Sequence, residues 1–152
     1  MLVVSTLGTV KDKTRSSVSI KSVNTLGGSI IVPLFLREAA SLIEKGWANQ
    51  AIIGSNDSKV IYAEIENEIA GFIVFNFENN YQKTTWIVIG TVFEKYRGRG
   101  IYKIMHSHLE KIAKNNNSSR ISSHVHRDNV PMLAICKSIG KEALFYRTSK
   151  EL

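Results

Sequence analysis

The chain has 152 residues, of which 43% are apolar and 22% charged, with a net charge of +7. That is enough to bury one sizeable core and too little for two ordinary domains, and the composition excludes a fibrous repeat or a disordered tail. A single cysteine, Cys136, excludes an intrachain disulfide and a cysteine-rich metal site, and the Lys and Arg excess favours polyanionic partners: a nucleotide cofactor, an acidic protein or nucleic acid. No apolar run approaches the ~20 residues of a membrane span. Met1-Leu2-Val3-Val4 lacks the basic flank and long apolar region of a secretory signal, so a single cytoplasmic domain over 1–152 is expected, with no membrane partner.

Met1 to Thr25 is polar, with apolar runs at Leu2 to Val4 and Val18 to Val23. The second alternates and reads as an edge strand, ended by Gly27-Gly28. From Pro33 to Lys45, Phe35, Leu36, Ala39, Leu42 and Ile43 recur at helical spacing, with proline near the first turn and Gly46 past the end. Ala51-Ile52-Ile53 fits a short strand or a helix, and Gly54 to Asp57 is loop chemistry. Val60 to Glu66 and Ile69 to Phe77 are β-rich runs around Asn67-Glu68, a hairpin whose Glu64, Glu66 and Glu68 read as a solvated face.

Thr84 to Val92 is the central strand, with Gly90 marking a bulge or a close backbone approach. The next helix, Gly100 to Lys114, buries Ile101, Ile104, Met105, Leu109 and Ile112. His106 and His108 stand two apart, which turns them to different sides; a shared metal is not expected, and a surface or rim place is. Arg120 to His126 is a strand, completing a βαβ unit with a right-handed crossing. Asp128 or Asn129 caps a last helix that carries Val130, Leu133, Ala134, Ile135 and Ile139 inward and stops at Gly140. Leu144-Phe145-Tyr146 then forms a closing strand.

Between the central strand and its helix lies Val92-Phe93-Glu94-Lys95-Tyr96-Arg97-Gly98-Arg99-Gly100-Ile101-Tyr102. Gly98 and Gly100 let the backbone approach a ligand and adopt unusual φ. The amides opening the helix lack intrahelical partners and lie at the positive end of its dipole, and Lys95, Arg97 and Arg99 add charge. Such a cup suits a pyrophosphate. The run is not a P-loop, since no Gly-Lys-Ser/Thr closes it, and Lys103 breaks the G-x-G-x-x-G dinucleotide pattern.

It resembles the R/Q-x-x-G-x-G/A signature of the GCN5-related N-acetyltransferase (GNAT) superfamily with its V-x-P-x-x-R lead-in. Val92, Arg97 and Gly100 match; Glu94 replaces the proline, and Tyr102 the small residue. Similar proteins carry N-x-x-A-x-x-L-Y-x-x-x-G-F further on. Here Asn129 to Gly140 has that span, with Met132, Ile135, Cys136 and Lys141 at the alanine, leucine, tyrosine and phenylalanine positions.

The resemblance implies an α/β fold with a mixed central sheet, elements ordered β-α-(α)-β-β-β-α-β-α-β, and helices on both faces. It implies acetyl-CoA as donor, CoA as product and no metal, with Val92, Arg97, Gly98, Arg99, Gly100, Ile101, Tyr102 and Asn129 around the cofactor. The implied reaction is direct attack of a primary amine on the thioester, and an amide near Val92 would serve the oxyanion.

The family's usual acid, the tyrosine, is replaced by Cys136, whose ordinary thiol pKa of about 8.5 would let it donate; Tyr102, Tyr146 and water are alternatives. Thr84 and Thr85 lie where a strand glutamate would act as base. His126 takes its place as first candidate, ahead of His124 and Glu64. A CoA-binding regulatory or partner-binding module without catalysis is the second reading. The acceptor, a small-molecule or protein amine, and the oligomeric state stay open, a homodimer included.

Overall fold

Runs of branched and aromatic residues alternating with polar ones build a six-stranded sheet in the computed structural model, which describes residues 1–48, 55–78, 83–144 and 150. The strands are β1 (Val4–Lys11), β2 (Ser17–Val23), β3 (Lys59–Ile65), β4 (Glu68–Glu78), β5 (Thr84–Val92) and β6 (Arg120–Ser123). They lie in chain order across the sheet. All neighbours are antiparallel except β5 and β6. The helices are α1 (Val32–Glu44), α2 (Ile101–Asn115) and α3 (Val130–Ser138).

Period-two alternation divides the strand side chains between two cores. Ile61, Ile73, Phe75 and Ile87 pack on one face against Ile101, Met105 and Leu109 of α2. Val60, Phe72, Val74 and Ile89 pack on the other against Ile31 and against Phe35 and Ala39 of α1. The mixed sheet with helices on both faces is the expected architecture.

Several local expectations need correction. The Val18 run is an interior strand: Val18 and Ile20 are fully buried, and the edge is β1. A second strand therefore precedes α1. Leu36 and Ile43 of α1 point outward, because a stripe that wide exceeds the face the sheet covers. The β3–β4 turn is Glu66-Asn67, both at positive φ (50° and 65°), as a tight hairpin requires, and Glu68 already belongs to β4. β6 is shorter than expected and leaves the sheet after Ser123. No residue of α3 is fully buried: Val130 and Leu133 face outward, while Met132, Ile135 and Ile139 rest on the α2 core. The readings at Ala51-Ile52-Ile53 and Gly54, and at Phe145-Tyr146 of the closing strand, lie outside the described residues; Leu144 is not in a strand.

Candidate functional site

The site grows from the divergence of β5 and β6. Their parallel pairing runs from Thr84 with Arg120 to Ile87 with Ser123 and stops. At the same level β5 carries a bulge: Val74 pairs with Ile89 and Phe75 with Ile87, which leaves Val88 as the extra residue. Among the described residues no strand pairs with Val88 to Val92 on the β6 side, so a stretch of backbone edge is open there. The bulge lies two residues before Gly90. Gly90 instead serves close approach, since a Cβ there would meet the Tyr102 ring at 2.8 Å.

Beyond Val92 the chain makes a short 3₁₀ turn, Glu94–Tyr96. It is tied down at Glu68, whose carboxylate accepts from the Tyr96 hydroxyl and, at 2.9 Å, from Lys95 Nζ. These donors hold the Glu68 carboxyl below the usual range. One member of the acidic cluster thus anchors the turn, and Glu64 pairs with Lys21 at 3.0 Å.

Arg97 folds back so that its Nε donates to the Val92 carbonyl at 2.9 Å. Gly98 and Gly100 have φ of 77° and 79°, the left-handed region that glycine enters without steric cost. Gly100 stands at the cap of α2 with no side chain bonding to the helix amides. Among the described residues no backbone carbonyl accepts from the amides of Gly98, Arg99 or Gly100, and the first turn of α2, with Ile101 and Tyr102, holds no acidic residue. The result is a set of uncommitted donors at the positive end of a fifteen-residue helix, which fits an anionic diphosphate.

Two residues absent from the sequence reading complete this wall. Arg99 Nη1 lies 3.7 Å from Asp12 Oδ2, and the Arg99 carbonyl accepts from the Lys13 amide at 3.1 Å. Both belong to the β1–β2 loop. Only the turn chemistry of Asp12, Thr14 and Ser16 hinted at an ordered loop, and nothing local said where it docks.

The predicted catalytic residues fall on different sides. His126 follows β6 and stacks on Trp47, with centroids 6.2 Å apart and planes at 12°. Its Nδ1 accepts from the Asp128 amide at 3.2 Å and lies 3.7 Å from Asp128 Oδ2. His124 is exposed and meets Trp86 edge to face.

Cys136 is half-buried, and burial pushes its thiol up. It is close enough to the buried Tyr102 for the two to interact electrostatically, and burial holds the Tyr102 phenol far above its ordinary value. Asn129 caps α3, its Oδ1 accepting from the Met132 amide at 3.4 Å. Thr84 and Thr85 are buried, and the Thr85 hydroxyl meets that of Ser118 at 2.7 Å, so these positions are structural.

His106 overturns the expectation of a surface histidine. It is 3% exposed, with Nδ1 3.3 Å from Glu110. Among the described residues no group of three or more His, Cys, Asp or Glu could hold a metal ion, and no helix is long and apolar enough to cross a membrane.

Comparisons with known proteins find the same fold. The structure is similar to a ribosomal-protein-alanine N-acetyltransferase from Brucella melitensis biovar Abortus 2308, with 15% identity over 89% of this chain and 99% of the other, at a TM-score of 0.65. It is also similar to the integron cassette protein VCH_CASS6 from the V. cholerae mobile metagenome, with 18% identity over 98% and 93% of the two chains and a TM-score of 0.63. A third similar structure, the aminoglycoside N-acetyltransferase AAC(6')-Iy in complex with CoA, shares 17% identity over 88% and 95%, with a TM-score of 0.58. A comparison with the sequences of curated proteins gave no match. The model of the acetyltransferase (GNAT) family matches residues 32–140, the segment that holds the split strand pair, the glycine turn and Asn129. The chain belongs to the acetyltransferase (GNAT) family.

Proposed function

We propose that the protein moves an acetyl group from acetyl-CoA to a primary amine by direct attack, with CoA as the second product. The observation that carries this reading is the conjunction of the Val88 bulge, the open β5 edge and uncommitted amides at Gly98, Arg99 and Gly100. Acetyl-CoA supplies an activated acyl group as its thioester. The chain's residues then divide the remaining work.

The turn from Arg97 through Ile101 holds the diphosphate with backbone amides and charge. The open edge from Val88 to Val92 aligns the pantetheine arm by main-chain hydrogen bonds, and an amide there donates to the carbonyl oxygen as negative charge develops. The Asn129 amide nitrogen lies outside the cap bond, which uses Oδ1, and donates to the same arm.

His126 is assigned as the base that takes the amine's proton, with Asp128 Oδ2 3.7 Å from its Nδ1 to balance the charge. At the leaving group we assign Tyr102 and Cys136 as the protein hydrogen donors, a reading supported by their proximity to each other. Tyr102 stays protonated throughout and donates a hydrogen bond to the departing thiolate, while Cys136 can deliver a proton.

The acceptor is an amine of a small molecule or a protein. The similar structures name both classes, an alanine of a ribosomal protein and an aminoglycoside, and each is the acceptor of that protein. A cytoplasmic setting suits a chain with one unpaired cysteine.

Isothermal titration should find saturable acetyl-CoA binding that Arg97→Glu with Gly100→Glu abolishes; no affinity in the unaltered protein would overturn the proposal. Cys136 at the tyrosine position and the buried Thr84 and Thr85 favour a second reading, a CoA-binding module without turnover. Thiol release against an amine panel separates the two, because a module binds acetyl-CoA yet releases CoA no faster than buffer.

A further inference from the structure

The family match begins at residue 32, yet the glycine turn is walled on one side by residues far upstream of it. β1 runs parallel in direction to β5, with β2, β3 and β4 between them in alternating sense, so the β1–β2 loop emerges at the same end of the sheet as the Val92–Gly100 turn. Three contacts join loop and turn. The Lys13 amide donates to the Arg99 carbonyl at 3.1 Å. The Asp12 carboxylate faces Arg99 Nη1 at 3.7 Å. The Lys13 stem lies over Gly100, its Cε 3.4 Å from the position a Cβ there would take.

The loop is built to hold this posture. Asp12 Oδ1 accepts from the amides of Thr14 (2.8 Å) and Ser16 (3.0 Å) and from the Thr14 hydroxyl (2.7 Å). The side chain is 0% exposed, and Oδ2 is buried without a hydrogen-bond partner among the described residues, aimed at Arg99. Burial works to raise the Asp12 carboxyl, and the bonds from Thr14 and Ser16, with Arg99 beside it, outweigh that and hold it below its usual value. Arg99 is further fixed by its guanidinium 5.4 Å over the Tyr96 ring.

The consequence is a division of charge. Arg99 faces the Asp12 carboxylate at 3.7 Å, whereas Lys13 is exposed and makes no ion pair among the described residues. Its stem nevertheless lies over Gly100, which puts the ammonium group within reach of the free amides of the turn. A cation held there without a partner is a phosphate ligand in waiting.

We propose that the β1–β2 loop is a wall of the diphosphate cup, in which Lys13 binds phosphate directly and Asp12 is the positioning residue that holds Arg99 and the loop in place. The proposal rests on acetyl-CoA being the donor, and it adds a binding residue from outside the family-matched segment.

The test is titration of the full chain with two probes, acetyl-CoA and S-acetyl-pantetheine, which carries the same thioester without phosphates. Lys13→Met keeps the stem and removes the charge. It should weaken acetyl-CoA about tenfold, the loss expected for one charge-assisted bond, reduce the salt dependence of binding, and leave S-acetyl-pantetheine affinity and the melting temperature unchanged. Lys13→Arg should retain affinity, and Lys11→Met should act as the unaffected control. Asp12→Asn should raise KM for acetyl-CoA with kcat held. Wild-type binding with no loss in Lys13→Met overturns this proposal alone, as does an equal loss for both probes. Absence of acetyl-CoA binding in the wild type overturns the function proposed above.

Discussion

Helices α2 and α3 both follow a β-strand and a short turn, and they begin in opposite ways. At α3 the Asn129 side chain turns in and accepts from the Met132 amide, so the helix satisfies a donor of its own first turn. At α2 the cap is Gly100, which has no side chain to offer, sits at φ 79°, and leaves the leading amides to whatever approaches from outside. The proposed anion site is thus created by omission: the same helix end that a capping residue would close is left open by a glycine.

Burial differs in the same sense. α2 sinks Ile101, Tyr102, Met105, His106, Leu109 and Ala113 into the core, while α3 buries none of its residues fully. The proposed phosphate-binding end belongs to the more deeply packed helix. Precision at the cup requires a base that does not move, and apolar packing along α2 provides it.

The contrast breaks most readily at Gly100. Gly100→Val forces a β-branched residue into the left-handed region, at φ 79°. Acetyl-CoA affinity by titration should fall about a hundredfold or more, for loss of several charge-assisted donors at once. Asn129→Gly, the reciprocal change at α3, should cost only a few tenths of a kcal/mol of stability. Equal effects on binding from the two would refute a special role for the open cap.

Next in size is the packing difference. Leu109→Ala, at a fully buried position, should destabilise the protein by about 2–5 kcal/mol in urea unfolding. Leu133→Ala on α3, where the side chain is 40% exposed, should cost well under that, of order 0.5 kcal/mol. Similar costs would show that α3 is packed far more tightly than its exposure indicates.

The smallest effect concerns pH. Burial, with Lys141 nearby, pushes His106 below its ordinary value of 6.5, although Glu110 pulls the other way. A histidine depressed on folding binds more protons when unfolded, so stability rises with pH through the interval below about 6.5 and declines as the solution is acidified. His106→Leu should flatten the pH dependence of the urea midpoint between pH 7 and 5. An unchanged slope in that variant would assign the acid sensitivity elsewhere.

Local rules went a long way here because so much of the site is local. The strand from Thr84 to Val92, both glycines of the turn, the α2 start and the Asn129 cap follow from side-chain periodicity, the φ freedom of glycine and the hydrogen-bonding reach of asparagine. Each is decided within a few residues of chain. The bulge was expected in the right strand and found at Val88, since register against β4 and loss of the β6 partner, not glycine itself, set its place. His106 was misjudged for a related reason: its place on the helix was clear, but the depth to which α2 sinks was not.

The sequence alone determined which segments become strand, turn and helix around the glycine pair, because backbone sterics and hydrophobic period act over one or two turns of chain. Only the tertiary structure decided that Asp12 and Lys13 stand beside Arg99 and Gly100, that Tyr102 lies across Gly90 next to Cys136, and that α3 stays at the surface. Those juxtapositions depend on strand order and register across the whole sheet, and no local pattern carries that information.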